Sequence, residues 1–88
     1  MGVEMSSCYH VTSIKKLNKY IDAGVIKAPV RCWDNIASAE RFSKQTGRPI
    51  ILRMKLPPNL DRLEGHRGEA YIINEDVAIK SIFSGWER

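Results

Sequence analysis

The stretch CYHVTSIKKLNKYIDAG, residues 8–24, begins with the alternation of a strand and continues with the spacing of a helix. Side chains alternate between the two faces of a strand, so His10 and Thr12 point to the same face. Tyr9 and Val11 are then expected to face the core. Two neighbouring polar side chains at this junction either serve a ligand or finish the strand and cap the helix.

The helix that follows has a recognisable start, face and end. Ser13 or Thr12 is suited to the N-cap, because a hydroxyl at that position accepts a hydrogen bond from a backbone N–H group. Gly24 is typical of a helix stop. Apolar residues at spacings of three and four predict one buried face, made of Ile14, Leu17 and Ile21.

A second strand and a second helix come next. The residues from Val30 to Trp33 predict a short strand, Asp34 or Asn35 is suited to cap the helix, and Gly47 ends it. The residues expected to point inward from this helix are Ile36, Ala39 and Phe42.

The second half of the chain is dominated by strand patterns. Residues 50–56 alternate most clearly, with Ile50, Leu52, Met54 and Leu56 on one face and Ile51, Arg53 and Lys55 on the other. Residues 57–68 predict a polar loop, residues 69–74 a further strand, and residues 78–86 a last strand.

This order of elements, β-α-β-α-β-β-β, predicts the α+β fold class. We expect two helices packed on a mostly antiparallel sheet of about five strands. A chain of 88 residues makes a single domain, residues 1–88, with residues 1–6 as a flexible N-terminus.

Composition limits the partners and the compartment. The net charge of +4 and the pI of about 9.3 favour an acidic partner such as a nucleotide or a nucleic acid. No apolar run is long enough for a membrane span, and no signal peptide pattern is present, so we expect a cytoplasmic protein. Cys8 and Cys32 are expected to stay reduced and buried. The spacing of cysteine and histidine residues predicts no metal site.

Four segments, taken in chain order, resemble the ADP-ribosyltransferase superfamily. The segment YHVTSIKKLNKYIDAGVI, residues 9–26, looks like its first strand with a His-x-Thr pair and the helix that follows. Residues 29–47, PVRCWDNIASAERFSKQTG, are similar to the second strand and helix, and residues 49–60, PIILRMKLPPNL, to the central strand. Residues 69–82, EAYIINEDVAIKSI, resemble the block that begins with the catalytic glutamate. The likeness is closest to compact bacterial and phage members and to the DNA-modifying DarT-type branch.

The resemblance implies an ADP-ribosyltransferase-like fold, NAD as substrate and specific roles for several residues. Glu69 would be the catalytic carboxylate, which stabilises positive charge developing on the ribose as the nicotinamide bond breaks. His10 would hold the adenosine ribose, and Thr12 would help to orient it. The aromatic candidates for stacking on the NAD rings are Tyr9, Trp33 and Phe42.

Two departures from the family pattern leave alternatives open. The strand spacing that best aligns YIIN puts Ala70, rather than Glu69, at the glutamate position. Arg31 or Cys32 stands where the second block often carries a tyrosine. The chain is therefore either an active member or a degenerate one that keeps the fold without the reaction.

A basic loop offers a second kind of contact. Arg62, His66 and Arg67 lie close together in the sequence and are candidates for contacting phosphate or nucleic acid, although charged loop residues are by default solvated. The other candidates also have structural alternatives: Trp33 and Phe42 as core, and Glu69 as an ordinary charge at a strand entry.

Three functional hypotheses follow. The first is a minimal ADP-ribosyltransferase-like enzyme that binds NAD and transfers ADP-ribose to a nucleic acid or a protein. The second is a non-catalytic module on the same fold, which binds a nucleic acid, a nucleotide or a protein. The third is a small phage-related or stress-related interaction protein, either monomeric or homodimeric through its last strand.

Overall fold

The computed structural model of the chain describes residues 7–56, 60–62 and 70–88. The two helices are α1 (Ile14–Ala23) and α2 (Ile36–Thr46), and a 3₁₀ turn covers Ile79–Ser81. The strands are β1 (Ser7–Thr12), β2 (Val25–Ile26), β3 (Val30–Trp33), β4 (Ile50–Lys55), β5 (Leu60–Arg62), β6 (Ala70–Ile73), β7 (Val77–Ala78) and β8 (Ile82–Glu87).

The described strands form one large sheet and one small one. The large sheet has six strands in the order β5-β6-β3-β1-β4-β8, and every neighbouring pair is antiparallel. The small sheet pairs β2 with β7. The predicted α+β class with two helices and a mostly antiparallel sheet is confirmed, with six strands in the large sheet rather than about five.

Apolar clusters lie on both faces of the large sheet. On the first face, Cys8, Leu52 and Met54 are buried together with residues of β2, β3 and β6, and Leu17 and Tyr20 of α1 pack against them. On the second face, Val11 and Ile51 are buried with Ala39 of α2. The helices α1 and α2 therefore cover opposite faces, and we call these the α1 face and the α2 face.

Tyr9 and Val11 of β1 face a core as expected, but the side chains on the other face of the strand are buried as well. His10 and Thr12 point to the α1 face, where they are 9% and 1% exposed. An antiparallel strand with one solvated face would leave them in water, but the central strand β1 is covered on both sides. Both side chains therefore need hydrogen-bond partners inside the protein.

Both helices have the predicted caps. The Ser13 hydroxyl accepts a hydrogen bond from the backbone N–H of Lys16 at 3.1 Å, and the Asn35 side chain accepts one from that of Ser38 at 2.8 Å. Gly24 and Gly47 end the two helices with φ values of 76° and 74°. This left-handed conformation is readily adopted only by residues such as glycine.

The predicted buried face of α1 is partly wrong. Leu17 packs against the core, but Ile14 and Ile21 are 48% and 57% exposed. The helix is rotated so that Leu17 and Tyr20, about 60° apart around the helix axis, face the sheet. This orientation places the Tyr20 hydroxyl 3.2 Å from Nε2 of the buried His10. In α2, Ala39 is buried as predicted, whereas Ile36 is 42% exposed.

The late strands differ from the sequence prediction in two places. Leu60–Arg62 form β5 inside the segment predicted to be a loop. The predicted strand 78–86 is divided, because Ala78 belongs to β7 and a 3₁₀ turn precedes β8. The predicted flexible N-terminus, residues 1–6, lies outside the described residues. Neither described helix has the length and apolar character needed to cross a membrane.

Candidate functional site

The central strands β1 and β3 pair closely at only one position. Their register joins Tyr9 to Trp33, whereas β1 and β4 are paired along six residues from Ser7 to Thr12. Over their described ranges, β1 and β3 have no second paired position, and we call the part of the sheet where their pairing lapses the opening. An opening of this kind exposes backbone polar groups that side chains or ligands must satisfy.

His10 bridges this opening. Its Nδ1 atom lies 2.6 Å from the backbone carbonyl oxygen of Arg31, and its Nε2 atom lies 3.2 Å from the hydroxyl of Tyr20. A carbonyl oxygen only accepts hydrogen bonds, so we assign the ring proton to Nδ1. Nε2 then accepts the hydrogen bond that Tyr20 donates. The Thr12 hydroxyl completes the chain by donating to Tyr20 at 3.4 Å.

This environment favours the neutral form of the His10 imidazole. Burial lowers its pKa, and the nearby charges of Lys16 and Arg48 lower it further, while the hydrogen bond to Arg31 opposes the shift. Both ring nitrogens have protein partners. A ligand would therefore reach Nε2 only by taking the place of the Tyr20 hydroxyl.

A cleft of about 330 Å³ lies beside His10. It is lined by residues of both helices and of the diverging strands: His10, Val11, Lys16, Tyr20, Pro29, Arg31, Trp33, Phe42, Arg48 and Ile72. Among these described lining residues, three are cations and none is a carboxylate. The cleft therefore has an electrostatic preference for an anionic ligand.

Aromatic rings form one wall of the cleft. The rings of Trp33 and Phe42 lie 4.5 Å apart between centroids, tilted by 35°. The guanidinium carbon of Arg31 lies 5.8 Å from the Phe42 ring centre. Trp33 is only 5% exposed and belongs to the core on the α2 face, so a planar ligand ring at this wall would meet chiefly Phe42 and the charge of Arg31.

The backbone at Arg48 is held by a buried serine. Ser43, which is fully buried, donates a hydrogen bond from its hydroxyl to the Arg48 carbonyl oxygen. The same hydroxyl accepts a hydrogen bond from Nε of Arg88 at 2.7 Å. Arg48 directly follows the Gly47 cap of α2. The side chain of Arg48 therefore extends towards the cleft from a backbone position that is held in place.

The structure brings some of the predicted ligand-binding residues together and separates others. His10, Trp33 and Phe42 line the cleft. Thr12 is buried behind Tyr20, and Tyr9 packs edge-on against Trp86 with ring centroids 6.4 Å apart. Neither Thr12 nor Tyr9 lines the cleft.

The predicted catalytic and phosphate residues are mostly outside the described part of the chain. Glu69, His66 and Arg67 lie in the stretch 63–69, which the structure does not describe. Arg62 is exposed on β5, paired with Tyr71, and does not line the cleft. Ala70, the alternative residue at the glutamate position, is fully buried and pairs with Trp33.

Sequence reasoning missed Lys16, Tyr20 and Arg48 as cleft residues. The spacing of Tyr20 was a signal in the sequence, because Tyr20 lies three residues after Leu17 and is therefore its neighbour on the helix surface. That Lys16 and Arg48 line the same cleft has no counterpart in the local sequence, because Lys16 belongs to α1 and Arg48 follows α2.

The two cysteines are neighbours in the core on the α1 face of the sheet. Cys8 and Cys32 are free thiols with no exposed surface, as expected. A hydrogen bond between them, together with burial, raises the pKa of Cys32, and the same bond lowers the pKa of Cys8. No group of three or more potential metal ligands occurs among the described residues.

Comparisons with known proteins leave the chain without a family assignment. No protein-family model matches it, and neither the curated proteins nor the solved structures contain a significant match.

Proposed function

We propose that this domain binds NAD or a related nucleotide in the cleft and acts as a minimal ADP-ribosyltransferase-like protein. The nucleotide-binding part of this proposal rests on the composition of the cleft. Lys16, Arg31 and Arg48 line it together with aromatic rings, and no carboxylate is among the described lining residues. Nucleotides combine anionic phosphates with a planar base, and they need both kinds of partner.

The size of the cleft supports one nucleotide unit. Sites for small molecules usually occupy about 300–1,000 Å³, so a cleft of about 330 Å³ is at the small end of the range. One half of a dinucleotide suits it, with the base against Phe42 and the phosphates towards Lys16 and Arg48.

Transfer of ADP-ribose, the second part of the proposal, depends on a carboxylate. Breaking the nicotinamide bond creates positive charge on the ribose, which a carboxylate hydrogen-bonded to the 2′-hydroxyl stabilises. Glu69 is the proposed residue. Its chain neighbour Ala70 begins β6 and pairs with Trp33 of the cleft, which supports this choice. The acceptor would be a nucleic acid or a protein.

A second candidate function is non-catalytic nucleotide binding. It is favoured by the described lining, which supplies cations and aromatic rings but neither a carboxylate nor an available imidazole nitrogen. Such a module would retain the cleft as a recognition site without the reaction.

An NMR titration of the labelled domain with NAD and with AMP tests binding. We expect saturable shifts at Lys16, Trp33, Phe42 and Arg48, and weaker binding by Arg48→Ala. Arg41→Ala is the matched control, because it removes the same charge from an exposed position on α2. Absence of saturable shifts at millimolar ligand, or equal weakening by both variants, would refute nucleotide binding at this cleft.

A transfer assay then separates the two candidates. Labelled NAD is incubated with the domain and with nucleic-acid or protein acceptors, in parallel with Glu69→Gln. Transfer that is lost in a variant still able to bind NAD supports the enzyme. Binding without transfer by the unaltered domain supports the non-catalytic module, and transfer by Glu69→Gln removes Glu69 from the mechanism.

A further inference from the structure

The α2 face of the large sheet continues beyond helix α2. Ala39 of α2 packs in one cluster with Val11 of β1 and Ile51 of β4, which are paired with each other. The next two cross-strand pairs on this face are Tyr9 with Arg53 and Ser7 with Lys55. In both pairs the residue on β4, Arg53 or Lys55, has an exposed side chain. With Phe83 and Ser84 of β8, these residues form a surface that we call the platform: Ser7, Tyr9, Arg53, Lys55, Phe83 and Ser84.

Aromatic and cationic groups contact one another on the platform. The guanidinium carbon of Arg53 lies 5.3 Å from the ring centre of Phe83, and Nε of Arg53 donates a hydrogen bond to the Ser7 hydroxyl at 3.1 Å. Phe83 is nevertheless 46% exposed. The irregularity in pairing beside Arg53 and Met54 leaves Phe83 without a partner in the β4–β8 register. The ring is thus presented to solvent next to a held cation.

The charge of the platform has one sign. Arg53 and Lys55 are two residues apart on one face of a strand, about 7 Å along its axis, which is enough to contact separate anionic groups. The three strands β1, β4 and β8, all described, contain a single acidic residue, Glu87. Glu87 pairs with Ile50, so it points to the α1 face, and no acidic side chain of these three strands lies on the platform.

We propose that the platform binds single-stranded nucleic acid. A single strand presents phosphates for Arg53 and Lys55 and unpaired bases that stack on Phe83 and Tyr9. An open antiparallel sheet face suits stacking that tolerates any base, because every base has a π-face. The platform is a different surface from the cleft, and binding there needs neither NAD nor Glu69.

Fluorescence anisotropy with labelled single strands of about 15 nucleotides, one of deoxythymidine and one of uridine, tests the proposal without NAD present. We expect saturable binding by at least one strand, a weaker affinity for a duplex of equal length, and weakening as salt rises from about 50 to 200 mM. The two strands distinguish DNA from RNA as the source of the shared chemistry.

Three variants assign the binding to the platform. Phe83→Leu removes the ring but keeps apolar volume, and we expect about tenfold weaker binding. Arg53→Ala should reduce the slope of log affinity against log salt by about 0.7. Lys19→Ala, an equal charge loss from an exposed position on α1, should leave the affinity nearly unchanged.

The proposal is overturned by no saturable binding at low salt, by equal affinity for the duplex, or by equal weakening in Lys19→Ala and Arg53→Ala. The alternative occupant of the platform is a second copy of this chain, and sedimentation of the free domain tests for it. A dimer that dissociates in Phe83→Leu would identify the platform as a contact between copies of this chain instead, and would also overturn it.

Discussion

The Nδ1 atom of His10 donates a hydrogen bond to the backbone carbonyl oxygen of Arg31, 2.6 Å away, where strands β1 and β3 have ceased to pair closely. The imidazole thereby satisfies a carbonyl group at the opening of the sheet. Tyr20 of α1 occupies the other ring nitrogen, so one side chain links two strands and a helix. The cleft beside His10 is built around this link.

The stability of the domain should depend on pH through His10. Burial lowers the pKa of His10 from its ordinary value of 6.5, so the unfolded chain takes up a proton more readily than the folded domain. The resulting stability is fully present above pH 6.5 and is lost as the pH falls towards the folded pKa. The slope from one such group is at most about 1.4 kcal/mol per pH unit.

Urea unfolding between neutral and acidic pH measures this effect, with His10→Gln as the comparison. The second histidine, His66, is present in both proteins and cancels in the difference. Wild type should lose more stability than the variant as the pH falls below 6.5. Parallel stability curves would show that His10 does not carry the dependence.

Removing the Tyr20 hydroxyl should raise the pKa of His10. That hydroxyl donates to Nε2 only while the imidazole is neutral, so it favours the neutral form. Tyr20→Phe keeps the ring packing and should cost about 1 kcal/mol of stability through the lost hydrogen bond. NMR titration of the His10 ring protons gives the pKa directly.

Tyr71→Phe is the matched control for this experiment. Its hydroxyl donates to Asp34 at 3.2 Å, away from His10. We expect no change in the His10 pKa there. A shift of equal size in both variants would contradict the assigned contact between Tyr20 and His10.

Gly85 should not tolerate a side chain. A Cβ atom at this position would lie 2.6 Å from Cδ2 of Leu52, its cross-strand partner. Leu52 is packed in the core on the α1 face, so it cannot turn away without disturbing its neighbours. Gly85→Ala should therefore destabilise the domain by about 1–3 kcal/mol. Urea unfolding checks this, and the exposed neighbour Ser84→Ala should stay within about 0.5 kcal/mol of wild type.

The thiols of Cys8 and Cys32 should react only when the domain opens. Both have no exposed surface, and a hydrogen bond between them with burial raises the pKa of Cys32. The rate of modification by a thiol reagent should therefore rise steeply with urea. An added exposed thiol, Lys19→Cys, is the control and should react at once in the folded domain. Immediate reaction of the native cysteines would disprove their burial.

The local sequence by itself determined the helices and most of the strands. Ser13 and Asn35 cap helices because their side chains bond to nearby backbone groups, and Gly24 and Gly47 end them because of the φ they adopt. The alternation of residues 50–55 predicted β4, since strand geometry has a period of two. These features depend on neighbours in the chain, so they are readable without a fold.

Tertiary structure alone decided which side chains meet. Because both faces of β1 are covered, His10 is buried and its ring nitrogens need hydrogen-bond partners inside the protein. The orientation of α1 allows Tyr20 to be one of these partners. That orientation left Ile14 and Ile21 exposed against the sequence prediction. The cleft draws Lys16 and Arg48 from separate elements, and a long-range packing arrangement of this kind leaves no trace in local periodicity.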